Sequence, residues 1–407
     1  MKDKIDILLK KLKSKIDVTK KNFNSIEMIA VMIMAVLFGI FLNQVFITSA
    51  SDNFVATKNS LEEIEKVYKT LLSDAYKDLT KKELEEAAIE GMMGLLGDKY
   101  SYYMDEAETK DFEERLKGSY SGFGVSISSK ENQVRIEEVF DNSPAAIAGL
   151  KPGDVFLKLN DEDISAKDVS EISAKIKGQS GKTIKILIKR DDQELSFSVT
   201  TGKVDIPSAT SEIFTENNKK IGYINLSIFA ENSDKQFAEE LNKLKKENIT
   251  SLIIDVRGNS GGYLTTVTKI LQMFLNEKQV MYQISTKGEI KKYCGDKKAN
   301  ITLPIALLID SNSASASEVM AAALNEEYGA TLIGTKTYGK GSVQKTLTLD
   351  NGTMIKYTAE TWLTSKGNSI DEKGIDPTLE VIFDGMNYKG DSQTDNQLQA
   401  ALKEMSK

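Results

Sequence analysis

Residues 251–256 (SLIIDV) and 304–310 (PIALLID) are short runs of almost unbroken apolar character, each followed by small or glycine residues and then a helical pattern. A strand with one wet face alternates apolar and polar side chains, whereas a strand covered on both faces does not. Such runs need a sheet with helices packed on it, and therefore an α/β fold. The rest of 205–385 continues in that manner. KIGYINLSIF, TLIGTKT, SVQKTLTL and TMIKYTAETWL read as strands. SDKQFAEELNKLKKEN, with Phe237, Leu241 and Leu244 on one face, TTVTKILQMFLN, and SASEVMAAALNEEYG, ended by Gly329, read as helices.

Residues 118–204 have a different texture. GSYSGFGVSI, VRIEEVF, DVFLKLN, TIKILIKR and LSFSVT are short strands, interrupted by helices in SPAAIAGLKPGD and DVSEISAKIKG. This spacing predicts a small β-rich module with two helices. Residues 54–117 are charged, with Leu61, Ile64, Val67, Tyr68, Leu71 and Leu72 at helical spacing. A second helix is expected over 81–97, with Thr80 as N-cap, Glu83 three residues on, and Gly97 as its stop. Residues 386–407 read as a polar linker and a short helix, QLQAALKEM.

The N-terminus sets the expected compartment. Residues 1–25 carry eight lysines against three aspartates, and an apolar stretch follows. About 20 helical residues span the roughly 30 Å of a bilayer core, so 26–47 is expected to be a transmembrane anchor. The basic flank would stay cytoplasmic and everything beyond would face outward. A signal peptide cut near Thr48-Ser49-Ala50 is the rival, but the apolar run exceeds a usual signal core.

The 407-residue chain contains no histidine, and its one cysteine is Cys294. No Ser-His-Asp triad, Cys-His pair or zinc site of histidines or cysteines is therefore available. Any nucleophilic chemistry needs another base, and lysine is the usual substitute. The net charge of −7 and the lack of a basic stripe argue against nucleic acid.

Three segments carry candidate chemistry. In SNSASASEVM, small residues lie between a buried strand and a helix, a junction that exposes a side chain and aims N–H groups at one point. Ser315 also fits a capping box with Glu318, a purely structural role worth about 1 kcal/mol. In TYGKGSVQ, Lys340 lies between two glycines. It is either a solvated turn lysine or a base. A base must be largely neutral, so its pKa must drop from about 10.4 towards 7, a cost of about 4 kcal/mol met by burial or a cationic neighbour. Gln344, four residues on, could orient a neutral amine without restoring its charge. In LIIDVRGNSGGYL, Gly261 and Gly262 could offer bare N–H groups to an oxyanion, or form an ordinary strand-to-helix turn. Asp255 and Arg257 read as a structural ion pair.

In this order, these segments resemble the carboxyl-terminal processing peptidases, or tail-specific proteases. The family's small-residue run ending in Ser-Ala-Ser-Glu is matched by SASASE, and its Gly-Lys-Gly with a later Gln by YGKGSVQ. LGDKYSYYM (96–104) and WLTSKGNSIDEKGIDPTLEV (362–381) match its flanking regions. The resemblance implies Ser315 as nucleophile, 25 residues before the base Lys340, with Gln344 orienting that lysine. Backbone N–H groups of Ala316 and of Gly261 or Gly262 would form the oxyanion hole.

It also implies that 118–204 is a PDZ domain with Gly122, Phe123, Gly124 and Val125 as its carboxylate-binding loop. Lys177 would stand where relatives carry a sensing arginine. The full expectation is α/β: an N-terminal transmembrane helix, a helical dimerisation region, a PDZ domain, and a crotonase-like peptidase core over 205–385. Apolar, unstructured C-termini of proteins outside the cytoplasm would be the substrates, a homodimer the assembly, and no metal or cofactor would be used. A catalytically inactive PDZ scaffold on the same core is the alternative.

Overall fold

The computed structural model describes residues 61–130, 133–178, 180–299 and 301–407. The basic segment 1–25 and the expected anchor 26–47 lie outside them. Among the described residues, no helix is long and apolar enough to cross a membrane. The described residues fall into two compact units, parted between Ile89 and Glu90.

In the first unit, residues 61–74 are helical and a second helix, Lys81–Gly94, begins. Thr80 caps it reciprocally: the Glu83 N–H donates to Thr80 Oγ1 (3.2 Å), and the Glu83 carboxylate accepts from the Thr80 N–H (2.7 Å). Leu61, Ile64 and Val67 are exposed, an apolar stripe not buried by the described residues.

The helical reading of 54–117 overlooks a strand. Tyr102–Met104 pairs antiparallel with the first residues of Met354–Leu363. Three residues are too few to show an alternating pattern. The helix resumes at Glu106–Lys117, started by a capping box between Asp105 and Glu108.

The β-rich module is built on a sheet in the order Val125–Lys130, Gln133–Val139, Val155–Leu159, Thr183–Arg190, Gln193–Thr200. Helices Pro144–Ala148 and Val169–Ile176 belong to it, and Phe123, Ile136, Phe156, Ile172 and Ile188 fill its core. Ser119–Gly122 leaves this sheet and pairs instead with Gly202–Asp205.

The second core surrounds a six-stranded sheet in the order Ala209–Glu216, Lys219–Leu226, Ser251–Asp255, Ile305–Ile309, Thr331–Gly334, Leu379–Glu380. All neighbours after the first pair are parallel. Leu252, Ile254, Ile305 and Leu307 face one layer, with the helices Ser233–Lys246, Leu264–Leu271 and Ala316–Ala323. Ile253, Ala306 and Leu308 face the other, covered by Leu398, Ala401 and Leu402 of helix Asn396–Met405. Both faces are thus dry, which accounts for the unbroken apolar runs. The C-terminal segment, expected as a tail, supplies the second cover.

Arg257 fastens that cover. It pairs with Asp255 (2.6 Å) and with Asp395 (2.7 Å), which caps the last helix by accepting from the Leu398 N–H. Arg257→Ala leaves two largely buried carboxylates without their cation. It should cost about 3–5 kcal/mol, read as a lower denaturation midpoint in urea.

Candidate active site

The C-terminal ends of the parallel strands feed the loops that carry the candidate residues. Ser315 precedes the helix Ala316–Ala323 with φ 55° and ψ −113°. Few non-glycine residues adopt such a backbone, which costs on the order of 1–3 kcal/mol and persists only where surroundings enforce it. Gly261 is part of that enforcement: at φ +107°, a Cβ there would lie 2.8 Å from Ser315 Cβ and 2.9 Å from the Ala314 carbonyl oxygen. Only glycine permits this approach.

The three neighbouring serines are not equivalent. Ser313 Oγ donates to the Val256 carbonyl (2.8 Å), and Ser317 Oγ to the Asn259 carbonyl (2.8 Å). Both are fully buried, whereas Ser315 is half-buried. Ser313 and Ser317 hold the 256–259 turn; Ser315 is the accessible one.

Glu318 joins the serine to the lysine. The side chain is fully buried. Its Oε2 accepts from the Ser315 N–H (2.8 Å) and the Lys340 N–H (2.9 Å). Its Oε1 accepts from Thr337 Oγ1 (2.7 Å) and the Gly339 N–H (2.7 Å). A single carboxylate oxygen therefore fixes the backbone of both residues. Glu318 enters the sequence argument only as a capping partner. Its position at N3, beside a serine before a buried helix, is the signal that could have marked it.

Lys340 is half-buried and has no ion-pair partner among the described residues. Its Nζ lies 4.7 Å from the centroid of the Tyr100 ring. Trp362 Nε1–H donates to its carbonyl (2.7 Å), and the next N–H, that of Gly341, donates to Asp371 (2.9 Å). Burial, assisted by the positive charge of Lys356, pushes its ammonium down to about 8, against the pull of Glu318 and Asp98.

Gln344 is hydrogen-bonded within its own sheet. Its Nε2 donates to Ser342 Oγ (2.8 Å) and Thr358 Oγ1 (3.3 Å), with no hydrogen bond to Lys340. The register of Ser342–Thr348 against Met354–Leu363 shifts between Val343 and Gln344. The extra residue of that bulge, Ala359, lies on Met354–Leu363, and Lys340 itself precedes the strand Ser342–Thr348, so strand parity does not decide the aim of Gln344 relative to the lysine. Of the two glycines, Gly261 already donates its N–H to Asn259 Oδ1 (2.9 Å). The N–H groups of Gly262 and Ala316 have no acceptor among the described residues.

In the β-rich module, the carbonyls of Phe123 and Gly124 are tied to the N–H groups of Ala145 (2.8 Å) and Phe140 (2.9 Å). The Tyr120 hydroxyl lies against the N–H groups of Gly124 and Val125, and Gly122 abuts its ring. Val125–Lys130 is an edge strand of its sheet. Lys177, closing the helix Val169–Ile176, pairs with Glu114 (2.6 Å) and Asp111 (3.4 Å) of Glu106–Lys117. A cavity of about 1030 Å³ lies beside Arg257, lined by Asp255, Asp310 and Asp395 rather than by Ser315 or Lys340. Its walls are acidic: Glu212, Asp255, Asp310, Asp391 and Asp395 face the single cation Arg257.

Residues 220–381 match peptidase family S41, 121–201 match a PDZ domain, and 41–109 match the N-terminal domain of the activating protease CtpB. The carboxy-terminal processing protease CtpB of Bacillus subtilis (strain 168) is 36% identical over 327 residues, covering 79% of this chain and 68% of that protein. The chain belongs to the carboxy-terminal processing serine proteases. Carboxy-terminal processing protease CtpA of the same organism is 32% identical over 325 residues, covering 79% of this chain and 69% of that protein. A putative S41 protease from Bacteroides fragilis NCTC 9343 shares the fold, with a TM-score of 0.51 at 19% identity, over 79% of this chain and 90% of that one. This family member is thus a serine-type peptidase with a PDZ domain.

Proposed function

We propose that this carboxy-terminal processing protease is a membrane-anchored endopeptidase that captures apolar, unstructured C-termini outside the cytoplasm and cleaves them with Ser315 and Lys340. The observation that carries the reading is the shared Glu318 oxygen, which holds Ser315 and a partly desolvated Lys340 in one frame. The tail adds as a strand along Val125–Lys130, beside the helix Val169–Ile176. Its carboxylate displaces the Tyr120 hydroxyl from the N–H groups of Gly124 and Val125. Lys177, paired with Glu114, relays the occupied state to the helix Glu106–Lys117.

Neutral Lys340 takes the Ser315 proton as Oγ bonds to the peptide carbonyl carbon. The resulting oxyanion rests on the N–H groups of Ala316 and Gly262. Collapse breaks the C–N bond, and the Lys340 ammonium protonates the leaving amine. Water, deprotonated by Lys340, then releases the acyl group. Gln344 acts on the lysine only indirectly, through Thr358. The anchor lies in 26–47, and the exposed Leu61, Ile64 and Val67 stripe supports a homodimer.

Since only the neutral amine serves, activity follows the deprotonated fraction. With the ammonium held at about 8, kcat/KM should rise about tenfold per pH unit up to about pH 8 and then level off. A profile flat from about pH 6 to 9 would contradict the lysine base.

A further inference from the structure

We infer that Tyr100, with the segment Asp98–Ser101 that carries it, is a positioning residue whose ring walls Lys340 off from water and so keeps it a competent base. The inference rests on the Ser315–Lys340 reading and extends it to residues far away in sequence.

Lys340 Nζ lies 4.7 Å from the Tyr100 ring centroid. The ring is held from several directions. The Tyr100 N–H donates to Asp98 Oδ1 (2.9 Å), and Asp98 Oδ2 accepts from Ser101 Oγ (2.6 Å). Thr358 of Met354–Leu363 donates its N–H to Ser101 Oγ (2.9 Å) and its hydroxyl to Asp98 Oδ1 (3.1 Å). Lys99 Nζ, 5.1 Å from the same ring, donates to the Tyr338 hydroxyl (2.7 Å), two residues before Lys340. The segment then runs directly into the strand Tyr102–Met104, itself paired to Met354–Leu363.

The charged and titratable groups around Lys340 come from every packed element: Glu318 from the serine's helix, Asp98, Lys99 and Tyr100 from this segment, Lys356 from the strand, and Tyr338 and Asp371 from the adjoining loops. The two nearest carboxylates are committed elsewhere. Glu318 spends both oxygens on neutral donors, and so does Asp98. Neither forms an ion pair with the ammonium. What covers the amine on the Asp98–Ser101 side is an aromatic face. A ring has two opposed effects: its quadrupole favours the cation, and its bulk excludes water, which disfavours it. Burial by all the surrounding groups is the largest influence on this amine and lowers its proton affinity; we take the ring, at 4.7 Å, to act chiefly as part of that cover.

The test is the pH profile of kcat/KM, measured on the full-length enzyme with a peptide-tailed protein substrate, for Tyr100→Ala, Tyr100→Leu, Tyr100→Phe and Lys340→Ala. Tyr100→Ala should move the acid limb up by about one pH unit, lowering kcat/KM about tenfold at pH 7 and much less above pH 9. Tyr100→Phe, which keeps the ring, should leave the limb where the wild type has it. Tyr100→Leu keeps an apolar wall and should move it less than alanine does, which also covers the case in which the alanine variant does not fold. An unmoved limb in the alanine variant, or in the leucine variant if alanine does not fold, overturns the inference if the wild type shows the limb. So does an equal loss at every pH. Full activity in Lys340→Ala overturns the reading beneath it, whatever the Tyr100 variants do.

Discussion

Ser315→Ala should lower kcat/KM on a tailed protein substrate by about 10⁴-fold or more, with its melting point within about 2 °C of the wild type. The structure explains the separation of the two effects. The bonds that hold this corner use the Ser315 backbone, its N–H to Glu318, and alanine keeps them. Lys340→Ala should lose as much activity, and the double variant no more than either single one, because two residues acting as a unit are not additive. Stability should respond in the opposite sense. The structural bonds of Lys340 are again backbone ones, to Glu318 and Trp362. Its ammonium is held at about 8 against an ordinary 10.5, a penalty of about 3 kcal/mol when charged. Between those two values the unfolded chain binds the extra proton. The wild type therefore gains stability as pH rises from about 8 to 10.5, and Lys340→Ala lacks that gain. Urea midpoints at both ends of the range would show it.

Glu318→Gln should have the next largest effect. The amide keeps the shape but turns one acceptor oxygen into an NH₂ group facing two donors: either the N–H groups of Ser315 and Lys340, or Thr337 Oγ1 and the Gly339 N–H. Buried donors facing a donor lose their bonds and gain no water, so the variant should lose about 2–5 kcal/mol in urea unfolding. The serine and lysine loops also lose their common anchor. A displacement of about 1 Å at reacting groups can cost about 100-fold, and kcat should fall by at least that much in the fraction that remains folded. Wild-type stability and turnover would show that the carboxylate is not the strut.

The fold was legible where the chain repeats a physical rule. The unbroken apolar runs at 251–256 and 304–310 require covering on both faces, and the sheet is covered so. The motif spacing pointed to Ser315 through resemblance alone; burial supplies the physical ground, since Ser313 and Ser317 are consumed by the 256–259 turn. What was not legible depends on contacts remote in sequence. Asp98 and Thr358 are 260 residues apart, and Lys99 and Tyr338 are 239, so no local pattern announces the wall over Lys340. The aim of Gln344 is not legible for another reason: Lys340 lies before the strand Ser342–Thr348, so a spacing of four carries no strand parity between the two. A glycine pair likewise looks symmetric in sequence, and only the Asn259 side chain distinguishes Gly261 from Gly262.

The most direct test of the serine–lysine pair is covalent. Wild-type protein treated with a fluorophosphonate probe, digested and mapped by mass spectrometry, should carry the adduct on Ser315, at a rate that rises with pH through about 8. Lys340→Ala should remain unlabelled. An adduct on Ser313, Ser317 or any other residue, or equal labelling of Ser315 without Lys340, would contradict the account.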